Sequence, residues 1–270
     1  MPLQKLLPDL FSQYFLTKCS VVKCSNYPPL TAIIYICSLI FCTMKFEKIH
    51  NKGQAQLFKN QYLEYLTKTH PLVIWGMYIP VLVFLPYYAI NTLELPSLNV
   101  AFLFFSGICF WSFMEYVLHR FVFHYHPDSE RGKRINYVLH GNHHEYPRDK
   151  ERLFMPAVPS LIIASVFLIV FYLILGQKAF PFFPGFMLGY LIYGSMHYAI
   201  HAWNPPFKWM KALWRNHHLH HYKENDMGFG VSSTIWDHVF GTMFDLKKEK
   251  ENKEEVKKLM FTRNEERQPH

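Results

Sequence analysis

Four stretches of the chain are continuously apolar and free of Lys and Arg: Leu72–Ile90, Asn99–Leu118, Pro156–Leu175 and Phe183–Trp203. Each runs about 20 residues, the length a helix needs to cross a hydrocarbon core. Their apolar residues are continuous rather than alternating, which excludes the strands of a membrane barrel. The pattern predicts an all-α integral membrane fold with four transmembrane helices. Short loops at Asn91–Leu98 and Gly176–Phe182 join these helices into two hairpins. Those loops share one basic residue, Lys178. By contrast, Arg120, Arg131, Lys133, Arg134, Arg148, Lys150 and Arg152 fall between the second and third stretches, and many more lie after Trp203. Positive flanks mark the cytosolic side, so the helical cap and the C-terminus are expected there. The membrane would be the endoplasmic reticulum in a eukaryote and the inner membrane in a bacterium.

The flanks read differently. Residues 1–43 form an extension whose apolar segment, Leu30–Cys42, is too short to span. A re-entrant or interfacial segment is expected there. Residues 44–246 form the main domain, and 247–270 form a solvated tail rich in Lys and Glu. Cys19, Cys24, Cys37, Cys42 and Cys109 form no CxxC pair, so reduced thiols are expected. The formal charge is +8, but no basic stripe with interleaved aromatics precedes the tail. That argues against nucleic acid as a partner.

Sixteen histidines stand out against this background. Ten fall into four clusters: His119 with His124, the triplet His140, His143 and His144, the pair His197 and His201, and the triplet His217, His220 and His221. Residues three and four apart share a helix face, so each triplet and the second pair can present imidazoles together. His119 and His124 are five apart, which turns them away from each other on a regular helix. That pair needs the helix to end or unwind, and Pro127 just beyond fits such an end. A sixteen-residue gap separates His124 from His140 and, again, His201 from His217. Two similar halves would therefore deliver four clusters to one end of a bundle. Ten imidazoles are too many for one ion, so two metal ions with about five nitrogens each are expected. Without cysteine among the clusters, iron–sulfur and zinc-finger chemistry are disfavoured, while iron, zinc and copper remain open. His218 lies a step around the helix and is left out of the set. His50, His70, His126, His238 and His270 are unassigned. A membrane metal-binding or transport protein is the rival from another class. Transporters place ligands near mid-membrane, whereas these clusters lie at and beyond helix ends.

Three segments carry a resemblance: EYVLHRFVFH (Glu115–His124), HGNHHEYPRDKERLFMPAVPS (His140–Ser160) and HHYKENDMGFGVSSTIWDHVFGT (His220–Thr242). With the cluster order, they are similar to the fatty acid hydroxylase superfamily of membrane di-iron oxygenases, and most of all to its fatty acid 2-hydroxylases. The likeness runs from about Phe58 to Phe244. It implies that two Fe ions and O2 hydroxylate C2 of a long-chain fatty acyl group used in sphingolipids. It assigns His119, His124, His140, His143, His144, His197, His201, His217, His220 and His221 as metal ligands. Zinc can occupy such nitrogen sites in purified protein. A lipid desaturase or sterol-type hydroxylase is the nearest rival, because the same histidine set serves those outcomes. No haem-binding HPGG motif occurs here, so the electron donor is expected to be separate, such as cytochrome b5 or a ferredoxin-type protein. Relatives often carry an acid after the tyrosine of the third cluster, where Gly194 stands here.

Glu115 precedes His119 by four residues and can meet it on one face to orient the ring; Asp237 can do the same. Capping or surface roles for both are equally open. Tyr193 is a candidate for lining the acyl path, against an ordinary interfacial role. Arg148, Lys150 and Arg152 could steer a carboxylate or phosphate head group or serve as flanking charge.

Overall fold

The computed structural model describes residues 49–245. The short N-terminal apolar segment, Cys19, Cys24, Cys37, Cys42 and the charged tail lie outside the described residues. Every regular element among those described is helical. In chain order these are α1 (Gln61–Tyr65), α2 (Pro71–Asn91), α3 (Ser97–Val117), α4 (Glu130–Asn136), α5 (Asn142–Glu145), α6 (Ala157–Leu175), α7 (Ala179–Ala202), α8 (Lys211–Tyr222) and α9 (Ile235–Phe240).

Local chemistry sets the ends of the long helices. His70 caps α2 by accepting the Leu72 N–H on Nδ1 at 3.2 Å, and Pro71 fills the first helical position, where no donor is needed. After α6 the chain turns at Gly176, whose φ of 58° suits glycine. A single tight turn, Gly176–Lys178, leads straight into α7. The fourth helix therefore starts four residues before Phe183. Counted as unbroken helical runs, three among the described residues are long and apolar enough to cross a membrane: Pro71–Asn91, Ser97–Phe123 and Lys150–Ala202. The last holds both α6 and α7, which pack on each other. Phe167 and Phe171 each meet Phe186 with ring centroids 5.0 Å apart.

The helices bury one side and leave the other apolar and exposed. Inside are Ile74, Tyr78, Trp111, Phe183, Phe186 and Leu191. Outside, Leu72, Val83, Phe102, Ile162 and Leu173 are open. Such a surface would be a liability in water and suits lipid. The tightest crossing joins α3 to α7. Gly107 sits against the Phe182 carbonyl and Gly185 against the Phe104 carbonyl, so a side chain at either position would collide with backbone. Small residues allow this close approach, which van der Waals packing in a bilayer requires.

Substituting Gly185→Leu is expected to destabilise the protein in detergent by about 1–3 kcal/mol or more, the usual cost of overpacking. Gly76 has open space around it. Gly76→Ala should leave the thermal midpoint unchanged or raise it. Equal midpoints for Gly185→Leu and the wild type would contradict the crossing.

Candidate metal centre

The five-residue spacing of His119 and His124 has a structural answer. Rather than ending, α3 widens into a π-helical turn over Leu118–Phe123. The His124 N–H donates to the His119 carbonyl at 3.2 Å, closing the wider ring. On such a turn residues five apart line up, and the two imidazole centroids lie 5.1 Å apart. A second π-helical turn, Tyr137–Gly141, presents His140 between α4 and α5. The Asn142 side chain donates to the carbonyls of Tyr137 and Val138, each at 2.9 Å. The Asn136 side chain donates to the carbonyls of Phe123 and Tyr125, each at 2.7 Å, tying the first cluster to the second. His197 and His201 face inward from the end of α7, and α8 carries the last triplet.

All ten histidines come together, in two sets of five. One set is His119, His124, His140, His144 and His220; the other is His143, His197, His201, His217 and His221. Within each set the ligand nitrogens lie within 4.8 Å of one another, and every residue is buried. The Nε2 atoms of His119 and His140 are 3.2 Å apart, and those of His144 and His140 are 3.0 Å apart. In the second set the Nε2 separations are 2.8 Å for His197–His143, 2.9 Å for His201–His217 and 3.1 Å for His221–His217. Nitrogens bound side by side to one ion at zinc-like bond lengths are separated by about 3 Å. The Nε2 atoms of His124 and His220 are buried with no hydrogen-bond partner, a costly state unless a ligand satisfies them. Each set can hold a metal ion. Burial, and then the neighbouring imidazoles, hold His124, His140, His144 and His221 well below the ordinary histidine range. Rings that stay neutral keep their lone pairs available for a metal.

The sets do not follow the clusters. Each triplet splits, sending one member to the opposite set: His143 joins the second pair's set and His220 joins the first pair's. The exchange is reciprocal. His124, His140, His143 and His144 recur 77 residues later as His201, His217, His220 and His221. His119 recurs 78 residues later as His197, and the extra residue is the one that the π turn of Leu118–Phe123 absorbs. The same 78-residue step relates the touching glycines Gly107 and Gly185. Rings of the two sets also meet, since His144 stacks on His221 at 4.2 Å.

Backbone carbonyls, rather than carboxylates, orient three of the rings. His119 Nδ1–H donates to Phe229 at 2.5 Å, His220 Nδ1–H to Met227 at 2.7 Å and His197 Nδ1–H to Leu153 at 3.3 Å. This leaves Nε2 as the lone-pair atom in each ring. Glu115 does not hydrogen-bond His119, although the two are four residues apart. Its Oε1 accepts the N–H groups of Val231 and Ser232, each at 2.8 Å, and its Oε2 takes the Ser232 hydroxyl. Asp237 accepts the N–H groups of Phe229 at 2.9 Å and Gly230 at 2.8 Å. Both acids thus fix the loop whose Phe229 carbonyl holds His119. Asn136 was not singled out from sequence, and Asn142 and this loop entered only within the segments that carry the resemblance, with no role assigned. Their only signal was amides and paired glycines among the histidines.

An apolar cavity of about 460 Å³ adjoins the histidines. His140, His143 and His197 border it, so both sets face it. Tyr193 lines its wall and lies flat on His197, with planes 4° apart. Arg152 lines it as well, but its guanidinium is buried and engaged. It pairs with Asp149 at 2.5 Å and with Glu64, and donates to Thr67 at 3.2 Å. It is therefore not free to steer a head group. His218 is buried on α8 and donates from Nδ1 to the Trp214 carbonyl at 2.6 Å, outside both sets. His50 stacks on Tyr146, and His70 serves as the α2 cap.

The fold and site define a helical protein with membrane-length apolar helices and two buried imidazole sets beside an apolar cavity. Residues 104–242 match the fatty acid hydroxylase family, and the chain belongs to that family. A ceramide very long chain fatty acid hydroxylase of Saccharomyces cerevisiae is 40% identical over 198 residues, covering 72% of this chain and 50% of the yeast protein. A dihydroceramide fatty acyl 2-hydroxylase of Arabidopsis thaliana is 35% identical over 199 residues, covering 73% of this chain and 83% of the plant protein. The fatty acid 2-hydroxylase of Homo sapiens is 33% identical over 209 residues, covering 70% of this chain and 56% of the human protein. The chain thus spans about half the length of the yeast and human relatives. A solved structure described as full-length scs7p, with only the hydroxylase domain visible, matches with a TM-score of 0.67 at 38% identity. That match covers 72% of this chain and 73% of the other.

The depressed imidazoles have a consequence for stability. In the unfolded chain they protonate near pH 6.5, whereas in the folded chain they resist protonation to lower pH. The unfolded state therefore binds more protons on acidification. Stability is fully present above about pH 6.5 and is lost as pH falls below it toward the depressed folded values. The thermal midpoint of metal-free protein in detergent should fall steeply between about pH 6.5 and 5. A midpoint that rises over that range would contradict a cluster of buried neutral imidazoles.

Proposed function

We propose that this chain hydroxylates C2 of long-chain fatty acyl groups destined for sphingolipids, using O2 and electrons from a separate donor such as cytochrome b5 or a ferredoxin-type protein. The observation that carries this reading is that both five-imidazole sets border one apolar cavity. His119, His124, His140, His144 and His220 would hold one iron, and His143, His197, His201, His217 and His221 the other. When bound, the iron pair supplies the redox chemistry that activates O2 toward a C–H bond. Zinc competes for the same nitrogens during purification.

The chain's own residues do the rest. Trp111, Phe154 and Met187 line the cavity and hold an alkyl chain by apolar contact. Tyr193, flat on His197, excludes water between the chain and the imidazoles. The loop fixed by Glu115 and Asp237 sets the His119 ring through the Phe229 carbonyl. In a bilayer, α2, α3, α6 and α7 make four crossings as two hairpins, with the histidines and the basic flanks on the cytosolic side.

Lipid analysis of cells expressing the chain with a competent reductase tests the activity. New 2-hydroxy acyl chains are expected, lost at least about 100-fold in His143→Ala and retained in His238→Ala, whose residue lies outside both sets. Unaltered lipids, or unsaturated rather than hydroxylated products, would sink the reading. Metal analysis of purified protein should give two ions per chain. One tightly held ion with full activity would refute the paired site.

A further inference from the structure

The cavity has a mouth, and the exposure of its lining locates it. At one end Trp111 and Phe186 are 7% and 0% exposed. At the other, Leu63 of α1, Leu66 just after it and Val158 of α6 line the same cavity at 49%, 60% and 59% exposed. The opening therefore lies between α1 and the start of α6, on the flank of the molecule. It is continuous with the exposed apolar residues that begin the neighbouring long helices, Leu72 and Val73 on α2 and Ile162 on α6.

The short helix α1 and its C-cap Leu66 divide their side chains three ways. Leu63 and Leu66, three apart, face the cavity. Tyr62 and Tyr65, also three apart, are 85% and 76% exposed and do not line it. Tyrosines of this kind favour the boundary between hydrocarbon and water. Glu64 points inward to the buried Arg152 and also accepts the N–H groups of Leu57 at 2.9 Å and Phe58 at 2.7 Å. Arg152 in turn pairs with Asp149, which accepts the Ala55 N–H at 3.2 Å. A buried, multiply bonded guanidinium thus ties the whole α1 segment to the turn, Lys150–Arg152, that leads toward α6. Asn60 caps α1 by accepting the N–H groups of Tyr62 and Leu63, but a cap alone does not hold so short a helix, since isolated helices of this length are unstable in water.

We propose that α1 and the start of α6 frame a lateral portal through which an acyl lipid passes sideways from the bilayer to the histidines, with the Glu64–Arg152 pair holding the frame open at fixed width. The proposal builds on the acyl-hydroxylase reading and specifies the route. A long alkyl chain need not leave the hydrocarbon layer to reach the cavity. A chain longer than the cavity can keep its remainder in lipid through the same opening.

Two measurements separate the route from the reaction. The first uses purified protein in phosphatidylcholine vesicles containing a long-chain acyl lipid with a diazirine midway along the chain. Irradiation should label peptides carrying Leu63, Leu66 or Val158, and Leu66→Trp with Val158→Trp, which narrow the mouth with apolar rings, should shift the label off the cavity residues. The second measures turnover against the mole fraction of acyl substrate in the vesicles. Leu63→Lys with Leu66→Lys puts charge on the lipid path and should raise the apparent KM about tenfold while kcat stays within about twofold. Tyr62→Lys, on the same helix but off the cavity, should change KM by less than about twofold. Metal content and thermal midpoint establish folding, and the apolar Trp variants stand in if the Lys variants fail to fold. Labelling confined to other helices, or equal KM shifts for Tyr62→Lys and the Leu pair, would overturn the portal. Correct labelling without 2-hydroxy product would leave the portal standing and overturn the proposed reaction.

Discussion

Ten imidazoles buried together are the constraint around which the rest of the protein is organised. A buried imidazole that stays neutral still has a donor and an acceptor to satisfy. In the first set, carbonyls take Nδ1–H from His119 and His220, while the five ligand nitrogens lie within 4.8 Å of one another. This arrangement forces the backbone into specific shapes. The π turn at Leu118–Phe123 sacrifices regular geometry so that His119 and His124 point the same way. A second π turn does the same for His140. Such widened turns concentrate where side-chain direction matters more than helix regularity.

The bilayer-length helices carry the load of stability so that this polar centre can exist. They are apolar on both faces, with aromatic residues filling the interior around Phe186 and exposed aliphatics outside. The close crossing of α3 and α7 at Gly107 and Gly185 brings the ends of those two helices together, and each ends in a histidine pair. Backbone contact at one level thus sets imidazole spacing a few turns away.

Much of this was legible from the chain alone, for reasons that differ by element. The four long helices were visible because membrane-length apolar runs have no other stable fate, and their bounds differ from expectation by only a few residues. The fourth helix starts at Ala179, four residues before the expected Phe183, because the tight turn Gly176–Lys178 leads directly into it. The ten clustered histidines were visible because their spacing is independent of tertiary context. Their division into sets was not. Which member of a triplet crosses over depends on how the two halves pack, and no local spacing records that. The orienting groups were invisible for a simpler reason: the carbonyls of Phe229, Leu153 and Met227 belong to every residue type equally. Glu115 illustrates the hazard, since its helical spacing from His119 pointed to a contact that the Val231–Ser232 loop takes instead. Arg152 shows it again, a surface-type residue drawn inside by Glu64 and Asp149.

The crossing of His143 and His220 between the halves has a further meaning for how such a chain can change over time. A repeated architecture normally lets one copy drift while the other preserves the original task. Here neither copy owns a complete set of five, because each lends one imidazole to the other. Loss of either half would deprive both centres of ligands at once. The two halves are therefore bound to a common fate, and the exchange of a single ring in each direction is enough to bind them.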